Sequence, residues 1–374
     1  MEVKFRCPSC LNKIVDDGDS LGEAANCPAC GHEISVPYPK YGRGHEIDGF
    51  VIEQWLGNGS MGEVHLARQV SVDRPVAIKI VATDKFEEDD DIKRYDREVK
   101  TLAKLSHPSI VSAISCGEFE GGCYLAMSYV DGLTAEDWTH QLGFIPEKDV
   151  IHFAVQIVDA LEYAWKEFRI LHRDLKPANI MIDTQNKVHL MDMGIAKSMD
   201  SDANLTSTGI VLGTPYYMSP EQTAGRKMDF RSDIYSLGAT LYHILTGEPP
   251  FNGLSSIDIM MKKLDTLPPN PKSLNDEISK GMSNLVMNLM AVKPEKRPNS
   301  WSEVRKKLLN LRKDSKKKYI NVSGESGKEL KKNKLNKHKD LNKHKDLNKK
   351  SSLPLLVAVV LVFVVATVLM VLKI

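Results

Sequence analysis

The sequence predicts an α+β protein in which strands come first and helices later. Three observations predict it. Phe50–Leu56 alternates like a half-buried strand, and Val76–Lys79 and Tyr124–Met127 are short apolar runs of strand length. Apolar residues recur with helical spacing over Ile92–Leu105 and from about Pro146 to Phe168. Composition sets this central stretch apart from a cysteine-punctuated beginning and from a lysine-rich stretch that runs into a long apolar one.

At 374 residues the chain has room for one large or two medium domains with appendages. The divisions expected are residues 1–36, a small four-cysteine module; 37–47, a linker holding Pro37 and Pro39; 48–311, the globular domain; 312–352, a basic low-complexity stretch; and 353–372, an apolar segment. The net charge of +1 hides an asymmetry, because thirteen lysines face only four acids between Lys316 and Lys350 and the rest of the chain is acidic. Leu335-Asn336-Lys337-His338-Lys339-Asp340 recurs at 341–346. One leucine per six residues builds no core, so this stretch reads as disordered or as a solvated helix.

Leu353 to Leu372 holds twenty residues without a charge. At ~1.5 Å per residue a helix of that length spans the ~30 Å hydrocarbon layer, and Pro354 sits in its first turn, where a missing N–H is tolerated. A single-pass transmembrane helix is expected, a tail anchor followed only by Lys373 and Ile374. The preceding lysines belong on the cytoplasmic side, against anionic lipid headgroups. Met1–Cys10 contains no apolar run, so no signal peptide is expected. The expected place is the inner (cytoplasmic) membrane, with the globular domain facing the cytoplasm.

Within that domain the residues with chemistry come in order. Leu56-Gly57-Asn58-Gly59-Ser60-Met61-Gly62-Glu63-Val64 is a glycine-rich turn that follows a strand, and glycines there let backbone close over phosphates. Lys79, in Val76-Ala77-Ile78-Lys79, would contact the α- and β-phosphates of ATP, while Val64 and Ala77 roof the adenine. Lys79 needs a carboxylate to hold it extended; Glu98 on the Ile92–Leu105 helix is assigned, with Glu87 and Glu88 as alternatives in the acidic run before it. Main-chain groups of Ser128, Tyr129 and Val130, after Met127, would meet the adenine edge. Asp137 reads either as a ribose contact or as a helix cap. His172-Arg173-Asp174-Leu175-Lys176-Pro177-Ala178-Asn179 groups an acid, a lysine and an amide within six positions. Phosphoryl transfer needs that set: Asp174 to receive the proton of the attacking hydroxyl, Lys176 to neutralise the γ-phosphate, and Asn179 to hold magnesium. Met181 would floor the adenine, and Asp192 of Asp192-Met193-Gly194 would chelate the metal.

These motifs, followed by Ser219-Pro220-Glu221-Gln222, Asp233-Ile234-Tyr235-Ser236-Leu237-Gly238 and Thr246-Gly247-x-x-Pro250-Phe251, resemble those of bacterial eukaryotic-like (Hanks-type) serine/threonine protein kinases across residues 48–311. The resemblance implies a bilobal protein kinase fold, a β-rich N-lobe and an α-rich C-lobe with ATP between them. It also implies ATP with Mg²⁺ (or Mn²⁺) and activation-loop autophosphorylation at the positions of Thr206 and Thr208, with a homodimer for phosphorylation in trans. Thr214 would hydrogen-bond Asp174 and Lys176. Glu221 would pair with Arg297, and Asp233 would anchor the catalytic-loop backbone. Lysine two residues after Asp174 fits the serine/threonine rather than the tyrosine class. Met193 in place of the usual Phe, Ser219 in place of Ala and Ser128 at an often acidic hinge position remove no catalytic group.

Cys7-Pro8-Ser9-Cys10 and Cys27-Pro28-Ala29-Cys30 are two knuckles that together resemble a zinc ribbon. Four thiolates suit tetrahedral structural Zn²⁺, with an iron–sulfur cluster or redox pair as the alternatives. Three bases (Lys4, Arg6, Lys13) against six acids argue against nucleic-acid binding by this module, so docking or regulation is expected. Two competing functions stay open. A catalytically idle membrane scaffold would lack ATP turnover, and a nucleic-acid binder acting through residues 313–350 would show steeply salt-dependent binding.

Overall fold

In the computed structural model the described residues are 3–7, 9–10, 12–16, 23–36, 41–58, 62–82, 99–119, 122–193, 215–253 and 255–321. The chain begins with two antiparallel hairpins: β1 (Val3–Arg6) with β2 (Lys13–Asp16), and β3 (Ala24–Asn26) with β4 (Glu33–Ser35). Each Cys-x-x-Cys occupies the turn of its hairpin. Backbone bonds close these turns, from Cys7 N–H to the Asn12 carbonyl at 2.9 Å and from Cys27 N–H to the His32 carbonyl at 2.8 Å.

β5 (Glu46–Ile47) opens a six-stranded antiparallel sheet completed by β6 (Phe50–Asn58), β7 (Glu63–Gln69), β8 (Arg74–Ala82), β9 (Ala113–Phe119) and β10 (Gly122–Ser128), in spatial order β5-β6-β7-β8-β10-β9. Its strands are rich in the β-branched and aromatic residues that pack on a pleated surface. Phe50, Ile52, Val76, Ile78, Ile80 and Tyr124 form the core of this lobe. Of the stretch expected to link the modules, Tyr41 and Ile47 are buried in the same core, while residues 42–46 between them are exposed. Gly62, entering β7, runs so close to β8 that a Cβ there would stand 1.9 Å from the Ile80 carbonyl oxygen. Only glycine permits that approach.

The second lobe carries a small sheet of β11 (Gly132–Thr134), β12 (Ile180–Asp183) and β13 (Val188–Leu190). The rest is helical: α1 (Ala135–Leu142), α2 (Glu147–Phe168), α3 (Pro220–Thr223), α4 (Phe230–Thr246), α5 (Ser256–Asp265), α6 (Pro271–Leu274), α7 (Lys280–Leu289) and α8 (Trp301–Asn321). α2 matches its sequence pattern closely. Val150, Ile151, Ala154, Ile157, Val158 and Leu161 are buried along it, Glu147 and Asp149 lie in its first turn, and Arg169 ends it in the left-handed region at φ 57°. α4 is the buried axis of the lobe; its Gly238 admits Leu289 and Met290, either of which a Cβ would meet at 2.8 Å. The two-lobed arrangement implied by the resemblance is thus the one adopted.

Chain contacts divide the molecule into Met1–Arg312 and Lys313–Ile374; of the second unit only the helical residues to Asn321 are described. Among the described residues no helix is long and apolar enough to cross a membrane. The apolar segment 353–372 and the hexad repeat lie outside the described residues.

His243 on α4 stacks on Tyr217 with ring planes 11° apart, and its Nδ1 lies 2.6 Å from the tyrosine oxygen. Burial, with His140 adding to it, pushes its pKa down to about 4. An unfolded histidine takes up its proton near ~6.5. The unfolded chain therefore binds more protons between those values, and stability is kept above about 6.5 but lost as pH falls toward 4, at up to ~1.4 kcal/mol per pH unit. Urea midpoints at pH 7 and pH 5 should separate less in His243→Gln than in wild type; equal separations would discount this histidine.

Candidate active site

The centre of the site is built from the ends of strands and one irregular loop. Lys79, only 3% exposed in the middle of β8, donates from Nζ to Asp192 Oδ1 at 2.7 Å. Asp192 follows β13 and sits in the left-handed region at φ 52°, a conformation that costs energy for a non-glycine residue and recurs at functional positions. Burial works to raise the Asp192 pKa, but the Lys79 charge and hydrogen bond, with Lys176 nearby, outweigh it and hold the carboxyl below the usual range. The carboxylate is thus kept ionised, as a metal ligand must be.

The loop between α2 and β12 brings the second group together. Lys176 Nζ lies 2.8 Å from Asp174 Oδ2, and Asn179 Nδ2 donates to the same oxygen at 3.0 Å and to the Asp174 carbonyl at 2.8 Å. Met191 N–H donates to the Asn179 carbonyl at 3.0 Å, which ties this loop to the chain leading into Asp192. Asp233, buried on α4, receives His172 N–H at 2.7 Å and Arg173 N–H at 2.9 Å. These two hydrogen bonds hold the loop at Arg173, which sits in the left-handed region at φ 63°. Burial pushes the Asp233 carboxyl up, against the pull of His172 and these N–H groups.

The apolar residues expected around adenine lie in register. Val64 pairs opposite Lys79, and Ala77 lies between Leu66 and Met127. Leu56 falls at an irregularity of the β6–β7 pairing, and Met181 faces Thr134 and His189 within the small sheet. Ser128, at the start of the crossing between lobes, already spends its N–H on the Ser112 carbonyl at 3.0 Å. Tyr129 and Val130 follow it, half-buried. Asp137 takes the capping role, its carboxylate accepting from Thr134 N–H while Thr134 Oγ1 accepts from Asp137 N–H. Gly57, Asn58, Gly62 and Glu63 flank the turn, whereas Gly59, Ser60, Met61, Glu98, Thr206, Thr208 and Thr214 lie outside the described residues. Met193, where the resemblance expects phenylalanine, is buried in the core of the second lobe.

Glu221 and Arg297 form a two-pronged buried pair at 2.6 and 2.8 Å. Ser232 Oγ donates to the same carboxylate at 2.6 Å, and the guanidinium satisfies the carbonyls of Ala291, Val292 and Arg231. It also lies over the Tyr235 ring, 5.0 Å from its centroid.

In the N-terminal module the sulfurs of Cys7, Cys10, Cys27 and Cys30 all lie within 4.8 Å of one another, with Cys7–Cys30 at 3.7 Å and Cys10–Cys27 at 3.6 Å. Four sulfurs at ~2.3 Å from a tetrahedral centre would stand ~3.8 Å apart, so the spacing fits a metal. Burial opposes ionisation of Cys27, yet the N–H groups of Cys30 and Ala29 lower its pKa to about 7.

The sequence did not disclose where this module sits. Trp55 of β6, 2% exposed, packs with Cys7, Cys27, Ile34 and Val36. On the other lobe, Lys13 Nζ pairs with Asp137 Oδ1 at 2.8 Å. The one signal was a tryptophan on a strand whose neighbours already filled the lobe's own core.

Comparison with known proteins agrees with this geometry. The family model described as "Protein kinase domain" matches residues 50–309. Serine/threonine-protein kinase PknB of Mycobacterium leprae is 39% identical over 271 residues, covering 71% of this chain and 43% of that protein. Serine/threonine-protein kinase PrkC of Bacillus subtilis is 36% identical over 252 residues, covering 67% of this chain and 39% of that protein. The chain thus spans less than half the length of these relatives. The crystal structure of the Mycobacterium tuberculosis PknI kinase domain superposes with a TM-score of 0.58 at 27% identity, over 72% of this chain and 98% of that one. With its matched segment, its two lobes, its Lys79–Asp192 pair and its Asp174–Lys176–Asn179 group, the chain belongs to the protein kinase family.

Proposed function

We propose that this chain is an ATP-dependent serine/threonine protein kinase that transfers the γ-phosphate of ATP to Ser/Thr hydroxyls of proteins and to its own activation loop. The observation that carries the reading is the Asp174 carboxylate, held by Lys176 and Asn179 and tied through Met191 to the Lys79–Asp192 pair. Asp174 is placed to accept the proton of an attacking hydroxyl. Lys176 moves from Asp174 to the transferring phosphoryl. Lys79 orients the α- and β-phosphates, and Glu98 is proposed to take over its charge when nucleotide occupies the cleft. Asn179 and Asp192 supply oxygen donors, the chemistry Mg²⁺ or Mn²⁺ takes; the ion when bound neutralises phosphate charge. Phosphate on Thr206 or Thr208, added in trans within a homodimer, would pair with Arg173.

The four thiols are proposed to hold one structural Zn²⁺, and residues 353–372 to tether the kinase to the cytoplasmic membrane with its lysines against anionic lipid. Purified protein with γ-labelled ATP and Mg²⁺ should label Thr206, Thr208 and serines or threonines of an added protein. Intact nucleotide binding without label would favour the idle scaffold instead. Elemental analysis should give one zinc per chain, and chelation should shift the emission of wild type but not of Trp55→Phe. A chain without metal would remove the zinc assignment.

A further inference from the structure

α5 presents Ile257 and Met261 to solvent and turns Ile259, Met260 and Lys263 inward. Lys263 therefore stands where the helical spacing asks for an apolar residue, one turn beyond Ile259, and it is 0% exposed. Burying an ammonium is strongly unfavourable unless its donors are met. Here they are met by backbone. Lys263 Nζ donates to the Pro215 carbonyl and, at 2.8 Å, to the Met218 carbonyl, and it lies 5.8 Å from the centroid of the Tyr235 ring.

The two carbonyls belong to one short stretch with a specific neighbour. Residues Pro215–Tyr217 form a single 3₁₀ turn, Ser236 Oγ donates to the Tyr217 carbonyl at 2.8 Å, and Ser219 caps α3. Gln222 Nε2 then donates to the Arg173 carbonyl at 2.9 Å, one residue before Asp174. This stretch is thus fastened alongside the loop that bears the proposed base. Through the Gln222–Arg173 bond this stretch lies beside the loop that an acceptor hydroxyl has to reach.

We propose that Lys263 is a positioning residue for the protein acceptor. It fixes the carbonyls of Pro215 and Met218 and so the shelf on which residues flanking the acceptor Ser/Thr rest. It touches neither nucleotide nor acceptor. The inference rests on the kinase reading above and deepens it, by separating the group that seats the acceptor from those that handle ATP. A misplacement of about 1 Å in such a shelf can cost up to ~10²-fold.

The test compares wild type, Lys263→Met and Lys263→Arg as full-length chains. Three quantities are read: KM and kcat for a serine peptide, KM for ATP, and the slow hydrolysis of ATP to water without acceptor. Lys263→Met keeps the length and loses charge and donors. It should raise the peptide KM at least about tenfold and leave ATP hydrolysis and ATP KM unchanged; Lys263→Arg should recover part of the loss. An unchanged peptide KM in a folded Lys263→Met, or equal losses in peptide transfer and ATP hydrolysis, would overturn the proposal. If Lys263→Met does not fold, Lys263→Gln is judged by the same split. A wild type that hydrolyses ATP but labels no serine or threonine would overturn the kinase reading itself, and this inference with it.

Discussion

In the Asp174→Asn protein, phosphate transfer to a serine or threonine acceptor should fall about 10²–10⁴-fold, the range for loss of a positioned general base. Nucleotide affinity should change little. The substitution keeps the shape of the side chain, and the bonds that hold the loop's backbone do not depend on the lost charge. Asp233 holds the backbone at His172 and Arg173, and Asn179 still has the Asp174 carbonyl as a partner. What disappears is the oxygen proposed to take the proton, together with the carboxylate that pairs with Lys176 at 2.8 Å. A single-turnover transfer assay beside fluorescent-nucleotide binding separates the two effects. If the variant kept more than about a tenth of the wild-type rate, the base would have to be sought elsewhere.

The Arg297→Met protein should lose about 3–5 kcal/mol of stability, the range for removing one partner of a buried ion pair. Its thermal midpoint should drop by on the order of 10 °C. Methionine fills much of the volume, so the loss is electrostatic rather than a cavity. Of its side-chain partners Glu221 would keep only Ser232, and the carbonyls of Ala291, Val292 and Arg231 would lose the Arg297 donor. Burial raises the pKa of Glu221, and the Arg297 and Ser232 hydrogen bonds overcome it and hold it below the ordinary value. That depressed value means the pair stabilises above the unfolded carboxylate pKa and its contribution fades as pH falls through the folded one. Wild type and variant should therefore converge in stability in acid. Adding Glu221→Gln to Arg297→Met should recover part of the loss, because no unpaired charge stays buried. If the single variant melts within about a degree of wild type, the pair contributes only what an exposed one would.

Motifs whose residues act within one loop were legible in the sequence. Asp174, Lys176 and Asn179 lie so close along the chain that any fold of the loop brings them near, and the structure does so. The longer-range pairs of Glu221 with Arg297 and of Asp233 with the backbone of residues 172–173 were legible only through the resemblance. Lys79 was expected to need a carboxylate, and among the described residues Asp192 supplies it. Nothing in periodicity distinguishes that choice, since it depends on how the lobes bring β8 to the end of β13. Lys263 was invisible because a lysine on an amphipathic helix reads as solvated. Its burial follows from the path of residues 215–218, which local propensity does not encode. The burial of Tyr41 and Ile47 was hidden similarly: Pro37 and Pro39 mark a boundary, but these two side chains find their partners only in the assembled sheet.

The N-terminal module rests on β6 through Trp55 and reaches α1 through Lys13, and these elements lie on opposite sides of the crossing at residues 128–131. The two lobes, already joined by the polypeptide, by the Lys79–Asp192 pair and by main-chain bonds of Leu190 to Ser109 and Val111, are joined once more by this strut. The two ends of the strut differ in strength. The tryptophan contact is a buried apolar one, whereas the Lys13–Asp137 bond is partly exposed and of the kind that contributes at most ~1 kcal/mol. Any hinge rotation that carries β6 away from α1 must break the weaker end first, leaving the module riding with the β-rich lobe. The strut is in effect a latch that adds little resistance to opening yet favours one spacing of the lobes when closed.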